Sequence, residues 1–318
     1  MNHYNFFERL LHDLILGNKF ISLSLFEIEK ILYSKKKSFY DNQHIFITSL
    51  PRSGTTVLLN LIYSSNQFGS LKYSNMPFLS SPNLSKLFNK KKIQTKERLH
   101  KDGIEFNLDS PEAFDEFYFI NLFNEEKQDK NSFLEYINLI LHSQNKTNYL
   151  SKNNSNYKRI EFIQSLFPKS IFLIPIRDPL QHANSLLNQH VNFSRIQKND
   201  SFVQRYMGYL GHYEFGLNHK YWNKPIEYSD PNQLNYWIEQ WHLFYDKIYV
   251  NFKDNKNCLF MLYEKFSNKD YMNKFFKNFS IENLNLDILK KPQDKKISSN
   301  FDQKNLNTAE KVYEKFLD

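Results

Sequence analysis

Short apolar runs separated by polar turns divide the chain into stretches of strand length and stretches of helix length. Each run is bounded by turn-forming or charged residues, which favours a short buried strand over part of a long helix. The predicted strands cover residues 44–50, 68–73, 148–152, 170–176 and 258–264.

Helical periodicity occupies most of the chain between these runs, where apolar residues recur every three or four positions. The predicted helices cover residues 5–33, 55–64, 109–123, 157–167, 179–190 and 268–279, and the aromatic-rich segment 200–255 outside its turn-prone stretch. Strands that alternate with helices favour a parallel sheet covered on both faces. We therefore predict an α/β fold with a P-loop-type central parallel sheet, flanking helices and helical inserts.

The start of the predicted helix at 109–123 carries capping signals. Asp109 or Ser110 is the expected cap, Pro111 falls in the first turn, and Glu112 lies three residues after Asp109. Helix capping is therefore one interpretation of Glu112.

Chain length and composition suit one domain with a sizeable core. The chain has 318 residues, of which 41% are hydrophobic, and this suits one large domain or a domain with inserts. We predict a single domain over residues 1–318, with an N-terminal helical segment at 1–40 and a helical insert at 200–255.

The overall charge and the cysteine count narrow the class of protein. The formal net charge of +8 indicates either an anionic partner or a general drift towards lysine. The one cysteine, Cys258, excludes a disulfide framework and a cysteine-based zinc site, and it fits a reducing compartment.

The sequence contains no apolar run near the ~20 residues that span a bilayer. Its N-terminus is interrupted by charged residues, unlike a signal peptide. Apolar residues there, at Phe6, Leu10, Leu11, Leu14 and Leu16, fit an amphipathic helix that docks on the domain, with binding to a membrane surface as the alternative. These features predict a cytoplasmic protein.

The stretch "IFITSLPRSGTTVLL" at residues 45–59 has the outline of a phosphate-binding loop: an apolar strand, a polar turn and the start of a helix. A helix N-terminus supplies N–H groups and a favourable dipole for an anion. Gly54 permits close approach of the backbone, Thr55 and Thr56 add hydroxyl donors, and Arg52 adds a forked cation.

The loop does not match the ATP-binding pattern G-x-x-x-x-G-K-[ST]. Position 49 is serine, and no lysine follows Gly54. No acidic residue at a strand end presents itself as a magnesium ligand, so an ordinary kinase is disfavoured.

The segment "LPRSGTT" at residues 50–56 resembles the 5′-phosphosulfate loop of sulfotransferases. These enzymes take sulfate from 3′-phosphoadenosine 5′-phosphosulfate (PAPS). The form with arginine is similar to the tyrosylprotein sulfotransferase branch and its bacterial relatives. The resemblance implies that the donor is bound by Pro51, Arg52, Ser53, Gly54, Thr55 and Thr56.

A second segment, "IFLIPIRDPLQHANSLL" at residues 171–187, resembles the 3′-phosphate signature of the same family. By that match, Arg177 and Ser185 hold the 3′-phosphate of the donor. The family also places a lysine after the strand that precedes this helix–strand unit, where Lys152 stands. A solvated lysine is the alternative interpretation of Lys152.

The resemblance implies transfer of a sulfuryl group from PAPS to a hydroxyl or amine. Arg52, the loop amides and Lys152 would stabilise the negative charge, and no metal is required. The tyrosylprotein branch carries a glutamate near the position of Lys72 and Tyr73, and neither residue is a suitable base. An aspartate expected in the bacterial group is replaced by Asn75.

The candidate general bases are therefore His100, Glu105 and Glu112, of which His100 and Glu112 are preferred. A base must lie within hydrogen-bond distance of the acceptor hydroxyl, and histidine titrates in a suitable range.

Other chemistry-bearing residues give weaker signals. His212, Glu214 and His219 in "GHYEFGLNHK" do not have the spacing of a common zinc site, so this segment is interpreted as structural or acceptor-binding. Lys291, Lys295 and Lys296 in the tail could contact the donor phosphates or remain solvated. No nucleic-acid recognition motif is present.

The leading prediction is a PAPS-dependent sulfotransferase that acts on a glycan or a small hydroxylated metabolite. A P-loop enzyme that uses ATP is one alternative, because the loop outline is shared. A non-catalytic PAP-binding or scaffold protein is the other, because no acidic residue occupies positions 72–75.

Overall fold

A computed structural model describes residues 4–34, 41–88, 96–97, 105–123, 129–291, 296–297 and 299–317. The strands are β1 (Ile45–Ile47), β2 (Phe68–Gly69), β3 (Lys96–Glu97), β4 (Glu105–Phe106), β5 (Asn148–Lys152), β6 (Ile171–Ile176) and β7 (Cys258–Leu262). The helices are α1 (Phe6–Leu16), α2 (Lys19–Tyr33), α3 (Thr55–Ser64), α4 (Ser85–Phe88), α5 (Glu116–Asn121), α6 (Lys130–Gln144), α7 (Ile160–Leu166), α8 (Pro179–Asn199), α9 (Ser201–Tyr209), α10 (Leu234–Phe252), α11 (Lys269–Lys277) and α12 (Gln303–Glu314).

Five strands form one parallel sheet in the order β2–β5–β1–β6–β7. The central strand β1 pairs on one side with β5, where Ile47 faces Lys152 across the register, and on the other side with β6. The carboxyl ends of these three strands therefore lie side by side, which is where open α/β sheets bind ligands. The predicted α/β fold with a central parallel sheet is confirmed.

Side chains of alternate strand residues fill two different layers of the core, as the two-residue period of a strand requires. Phe46 stacks on Phe172 with ring centroids 5.4 Å apart, in the layer that includes α6, α8 and α10. Ile45 and Ile47 face the opposite layer, which contains α3 and α11. Both faces of the sheet are thus covered by apolar packing.

The predicted helix at 109–123 begins later than expected. It starts at Glu116, so the prediction that Asp109 or Ser110 caps it, with Pro111 in the first turn and Glu112 in a capping position, was wrong. Residues 108–112 instead pair with residues 71–74: Glu112 N–H donates to the Leu71 carbonyl, and Ser74 N–H donates to the Leu108 carbonyl. This pairing satisfies the backbone groups that a helix would have used and overrides the local capping pattern.

The N-terminal helices pack with a different face from the one predicted. The predicted helix 5–33 is broken at Gly17 and Asn18 into α1 and α2. Of the apolar residues expected to dock α1 on the protein, Leu16 is buried but Phe6 and Leu10 are exposed. The buried residues of α1 are His12, Ile15 and Leu16, and Arg9 and Asp13 form ion pairs with Asp200 and Arg205 of the α9 region. Most of the apolar stripe of α1 therefore lies outside.

The C-terminal helix α12 extends beyond the last predicted helix, which ends at residue 279. It packs against α10, and its buried positions include Leu306, Ala309 and Val312. These few apolar residues lie in a polar, lysine-rich tail, so their periodicity gives a weak signal. Across the described ranges, no helix has both the length and the apolar composition needed to cross a bilayer.

Candidate active site

The polar turn after β1 adopts a backbone conformation suited to holding an anion. Arg52 has φ of 73° and Gly54 has φ of 97°, and Gly54 is the N-cap of α3. A Cβ on Gly54 would lie 2.5 Å from the ring of Tyr263 and 2.9 Å from that of Phe266. Glycine is therefore required both for the left-handed conformation and for the close approach of the segment after β7.

A buried histidine holds the turn from the side of α8 and α10. The ring nitrogen Nε2 of His182 lies 2.8 Å from the Pro51 carbonyl oxygen, and Trp241 Nε1–H donates to His182 Nδ1 at 3.1 Å. An indole nitrogen can only donate, so Nδ1 accepts and the ring proton is on Nε2, from which it is donated to Pro51.

The electrostatic environment keeps His182 neutral. Burial lowers the pKa of His182 to about 3, against the raising effect of its bond to Pro51, and the nearby charges of Arg177 and Arg52 lower it further. A neutral imidazole therefore holds the loop without adding charge to the anion site.

Buried hydroxyl groups complete the support of the turn. Ser49 Oγ donates to the Pro175 carbonyl at 2.6 Å and lies 2.8 Å from the Tyr245 hydroxyl. Ser53 Oγ donates back to the Leu50 carbonyl at 2.7 Å, so its hydroxyl closes the turn. Of the two threonines at the helix start, Thr55 is buried and Thr56 is partly exposed.

Two arginines from different segments meet at this turn. Arg52 Nε donates to Ser185 Oγ at 3.3 Å, and Arg177 Nη1 donates to the Arg52 carbonyl at 3.4 Å. The Arg177 guanidinium also lies 5.0 Å from the ring centroid of Tyr263. The structure therefore brings together Arg52, Arg177 and Ser185, which the two sequence segments single out separately, and concentrates positive charge beside the α3 N-terminus.

A lysine and a glutamate face each other at the end of the neighbouring strand β5. Lys152 Nζ lies 3.7 Å from Glu112 Oε1, and both side chains are about nine-tenths buried. Glu112 also accepts from the Tyr73 hydroxyl at 2.8 Å and from the Ala113 backbone N–H at 2.9 Å. The interpretation of Lys152 as a solvated lysine was wrong, because it is buried beside a carboxylate.

Neither of the other two candidate bases, His100 and Glu105, has a described contact with the residues of this site. His100 lies outside the described residues. Glu105 belongs to β4, which pairs with β3. Of the tail lysines, Lys295 also lies outside the described residues.

Two further acidic residues, which the sequence analysis missed, join the segment after Glu112 to the end of β5. Asp115 accepts from the Tyr149 hydroxyl and, at 2.7 Å, from Ser151 Oγ. Glu116 accepts from both terminal nitrogens of Arg159 at 2.8 Å and from Asn153 Nδ2 at 2.8 Å. The spacing of three carboxylates at 112, 115 and 116 was the only available signal in the sequence.

Burial dominates the ionisation of Asp115. It raises the pKa of Asp115 to about 6, although the hydrogen bonds from Tyr149 and Ser151 lower it. The bonds from Tyr149 and Ser151 connect Asp115 to two residues of β5.

The segment "GHYEFGLNHK" lies at the same edge of the sheet. Glu214 Oε1 accepts from Asn154 Nδ2 at 3.0 Å, and His212 Nδ1 lies 3.6 Å from Glu214 Oε2. His219 instead bonds the Tyr236 hydroxyl at 2.7 Å through Nε2. Within the described ranges, no three histidine, cysteine, aspartate or glutamate side chains are grouped as metal ligands.

Comparisons with known proteins identify proteins that this chain resembles. A family model described as the sulfotransferase family matches residues 44–270. The solved structure of sulfotransferase STF1 from Mycobacterium tuberculosis H37Rv is 10% identical with a TM-score of 0.54, over 95% of this chain and 84% of that one. Sulfotransferase STF9 from Mycobacterium avium is 15% identical with a TM-score of 0.49, over 99% and 87% of the two chains. No curated protein sequence matches the chain.

The conformation of Gly54 generates a prediction about stability. Gly54→Ala should lower the free energy of unfolding by about 2 kcal/mol or more, because a side chain in the left-handed region costs roughly 1–2 kcal/mol and the new Cβ meets Tyr263. The matched control is Gly208→Ala in α9, where the nearest atom to a new Cβ is the Tyr213 hydroxyl at 3.9 Å. Urea denaturation should show the control unchanged or stabilised by up to about 1 kcal/mol; equal losses in both variants would contradict this account of Gly54.

The neutral state of His182 predicts a pH dependence of stability. The folded-state pKa of about 3 lies below the ordinary value near 6.5, so the unfolded chain binds a proton that the folded chain does not. His182 should therefore reduce the free energy of unfolding by up to about 1.4 kcal/mol per pH unit as pH falls from about 6.5.

The variant His182→Gln tests this dependence. Glutamine can donate to Pro51 and accept from Trp241 but does not titrate, so stability at pH 7.5 should be largely kept. Denaturation curves from pH 7.5 to 4.5 should show a smaller slope than in the wild-type protein. Identical slopes would show that His182 is not the titrating group.

Proposed function

Because this chain belongs to the sulfotransferase family, we propose that it moves a sulfuryl group from PAPS to a hydroxyl or amine of a glycan or small metabolite. The observation that carries the proposal is the meeting of Arg52, Arg177 and Ser185 at one turn, with contacts of 3.3 and 3.4 Å. Two cationic groups from separate segments at one helix N-terminus suit a ligand with two phosphate-like ends.

The donor would be bound by the two segments together. The turn from Pro51 to Thr56 would hold the 5′-phosphosulfate with its backbone N–H groups, and Arg177 with Ser185 would hold the 3′-phosphate. No metal is needed to bridge the charges, because the guanidinium groups and the α3 N-terminus supply the positive potential.

The transfer step breaks the bond between sulfur and the bridging phosphate oxygen and forms a bond between sulfur and the acceptor oxygen. The electron pair of the broken bond goes to PAP, the desulfated nucleotide. Arg52 and Lys152 would stabilise the charge that develops on the bridging oxygen and on the sulfuryl group. One such positioned donor is typically worth about 3–4 kcal/mol of transition-state stabilisation.

The proton of the acceptor hydroxyl would go to Glu112. Its carboxylate faces Lys152 at 3.7 Å and Tyr73 at 2.8 Å, so it lies beside the position that the sequence analysis associated with a family glutamate. In this chain the carboxylate comes from the segment paired with residues 71–74 rather than from that position itself.

The cytoplasm as the place of action and the single-domain organisation over 1–318 both stay predictions.

The proposed donor site predicts that the protein binds PAP and that Arg177 contributes to the affinity. Calorimetry should detect PAP binding without magnesium and no comparable binding of ATP. Arg177→Ala should weaken PAP binding by roughly ten- to a hundredfold, since hydrogen bonds to charged groups contribute about 1.5–3 kcal/mol. Arg195→Ala, an exposed arginine of α8, is the control and should bind like the wild-type protein. Unchanged PAP affinity in Arg177→Ala would refute the assigned 3′-phosphate pocket.

The proposed role of Arg52 predicts that its removal affects transfer more than donor binding. With radiolabelled PAPS and a mixed panel of acceptors, Arg52→Ala should reduce transfer at least a hundredfold while part of the PAP affinity remains.

Glu112→Gln should reduce transfer by roughly 100- to 10,000-fold, the usual contribution of a general base, with PAP affinity retained. Asp109→Asn is the matched control, because this exposed carboxylate of the same segment pairs only with Lys72 among the described contacts. Full transfer by Glu112→Gln would exclude Glu112 as the base.

A further inference from the structure

Several buried polar atoms have no protein partner among the described residues. On the segments that carry Ser185 and Lys152 they include Gln189 Nε2, a donor, and Asn154 Oδ1 and Asn156 Oδ1, both acceptors. A buried polar group left without a hydrogen bond costs about 1–3 kcal/mol. A water molecule or a ligand hydroxyl group can supply the missing hydrogen bonds, and Gln189 and Asn154 lie on segments that carry candidate site residues.

Gln189 lies on α8 one turn after Ser185. Residues four apart lie on the same face of a helix, so Gln189 continues the face whose Ser185 contacts Arg52 at 3.3 Å. Gln189 is 5% exposed, and no protein acceptor among the described residues lies within hydrogen-bond distance of its Nε2.

Asn154 lies two residues after Lys152, beyond the end of β5. The backbone carbonyl of Asn154 accepts a hydrogen bond from Thr48 Oγ1 at 3.2 Å. This bond holds Asn154 beside Thr48, the residue that follows β1. The side-chain nitrogen Nδ2 of Asn154 donates to Glu214 at 3.0 Å. This bond orients the side-chain amide, whose other polar atom is the unpartnered Oδ1.

The side chains of His212 and Glu214 form a further polar pair, which contacts Asn154 through Glu214. His212 has about a quarter of its side chain exposed and Glu214 about a sixth. Burial raises the pKa of the Glu214 carboxyl group. The interactions with His212 and Asn154 act in the opposite direction, and the pKa is lowered to about 2. Glu214 is thus an anion that orients His212, while the other ring nitrogen of His212 can bond a ligand.

The segment that carries this pair is held close to the same strand end. Gly211 has φ of 71°, and a Cβ there would lie 2.5 Å from Ile120 and 2.7 Å from Glu116. Since Glu116 bonds Asn153 at 2.8 Å, the segment packs against the residues that follow Lys152.

We propose that Asn154, Gln189 and the His212–Glu214 pair form the acceptor subsite and that the acceptor is a sugar. An amide donor, an amide acceptor and an imidazole ring held by a carboxylate offer hydrogen bonds at several points, which neighbouring hydroxyl groups on a sugar ring can use together. A phenol or a simple alcohol presents one hydroxyl and would leave most of these groups unpaired. This inference rests on the proposed PAPS-dependent transfer.

The test uses the wild-type protein with radiolabelled PAPS and four acceptors: maltotriose, chitotriose, 4-nitrophenol and hexanol. Transfer to at least one sugar should exceed transfer to the phenol and the alcohol by tenfold or more. A higher rate with 4-nitrophenol or hexanol, or no transfer to either sugar, would overturn the proposal.

Variants then test the residues. Gln189→Met and Glu214→Gln should each raise KM for the preferred sugar about tenfold, the effect of one lost hydrogen bond, with kcat and PAP affinity changed less than threefold. Asn188→Met is the control, because this exposed amide of the same helix bonds Asn184 instead. If one variant does not fold, as judged by circular dichroism, the other decides.

The possible results distinguish a failure of the proposed PAPS-dependent transfer from a failure of the sugar subsite. Absence of PAP binding by the folded wild-type protein refutes the proposed function, and the sugar subsite with it. PAP binding together with an unchanged KM for sugar in both variants refutes the subsite alone. A loss of kcat without a change in KM would also refute it, since the residues would then act on the chemical step rather than on acceptor binding.

Discussion

The site depends on the hydrogen-bond chain from Trp241 through His182 to the Pro51 carbonyl. Each link has one possible direction, because the indole only donates and the carbonyl only accepts. The chain connects α10 and α8 to a turn whose next residue, Arg52, has a left-handed backbone. Buried hydrogen bonds with a unique arrangement can hold a strained conformation that a solvent-exposed turn would lose.

The neutral state of His182 matters as much as its position. Arg52 and Arg177 meet at the turn, where the Arg177 guanidinium contacts the Arg52 backbone. A third positive charge beside them would repel both and destabilise the folded protein. Burial instead keeps His182 uncharged, so the positive potential remains on the groups that can contact an anion.

The end of β5 is organised by carboxylates on the other side of the site. Glu112, Asp115 and Glu116 contact Lys152, Ser151 and Asn153 in turn, so one short segment contacts three successive residues of the strand end. The segment that contains Glu214 adds a fourth carboxylate through Asn154. Lys152 therefore lies at a strand end that is surrounded by carboxylates from two separate segments.

The local pattern of residues determined the parts of this protein that depend on backbone periodicity and on glycine. It predicted the parallel sheet, the helix at Thr55–Ser64, and the turns that place Arg52, Lys152 and Arg177 at neighbouring strand ends. Those features follow from two- and 3.6-residue periods and from allowed dihedral angles, which are properties of a few adjacent residues.

Only the tertiary structure decided which side chains meet. Glu112 matched a helix cap by sequence, yet it contacts Tyr73, 39 residues away, and His182 contacts Trp241, 59 residues away. Likewise α1 buries His12, Ile15 and Leu16 and leaves Phe6 and Leu10 of its apolar stripe exposed. Such contacts depend on how whole elements pack against one another, and no short-range pattern of residue types encodes that packing.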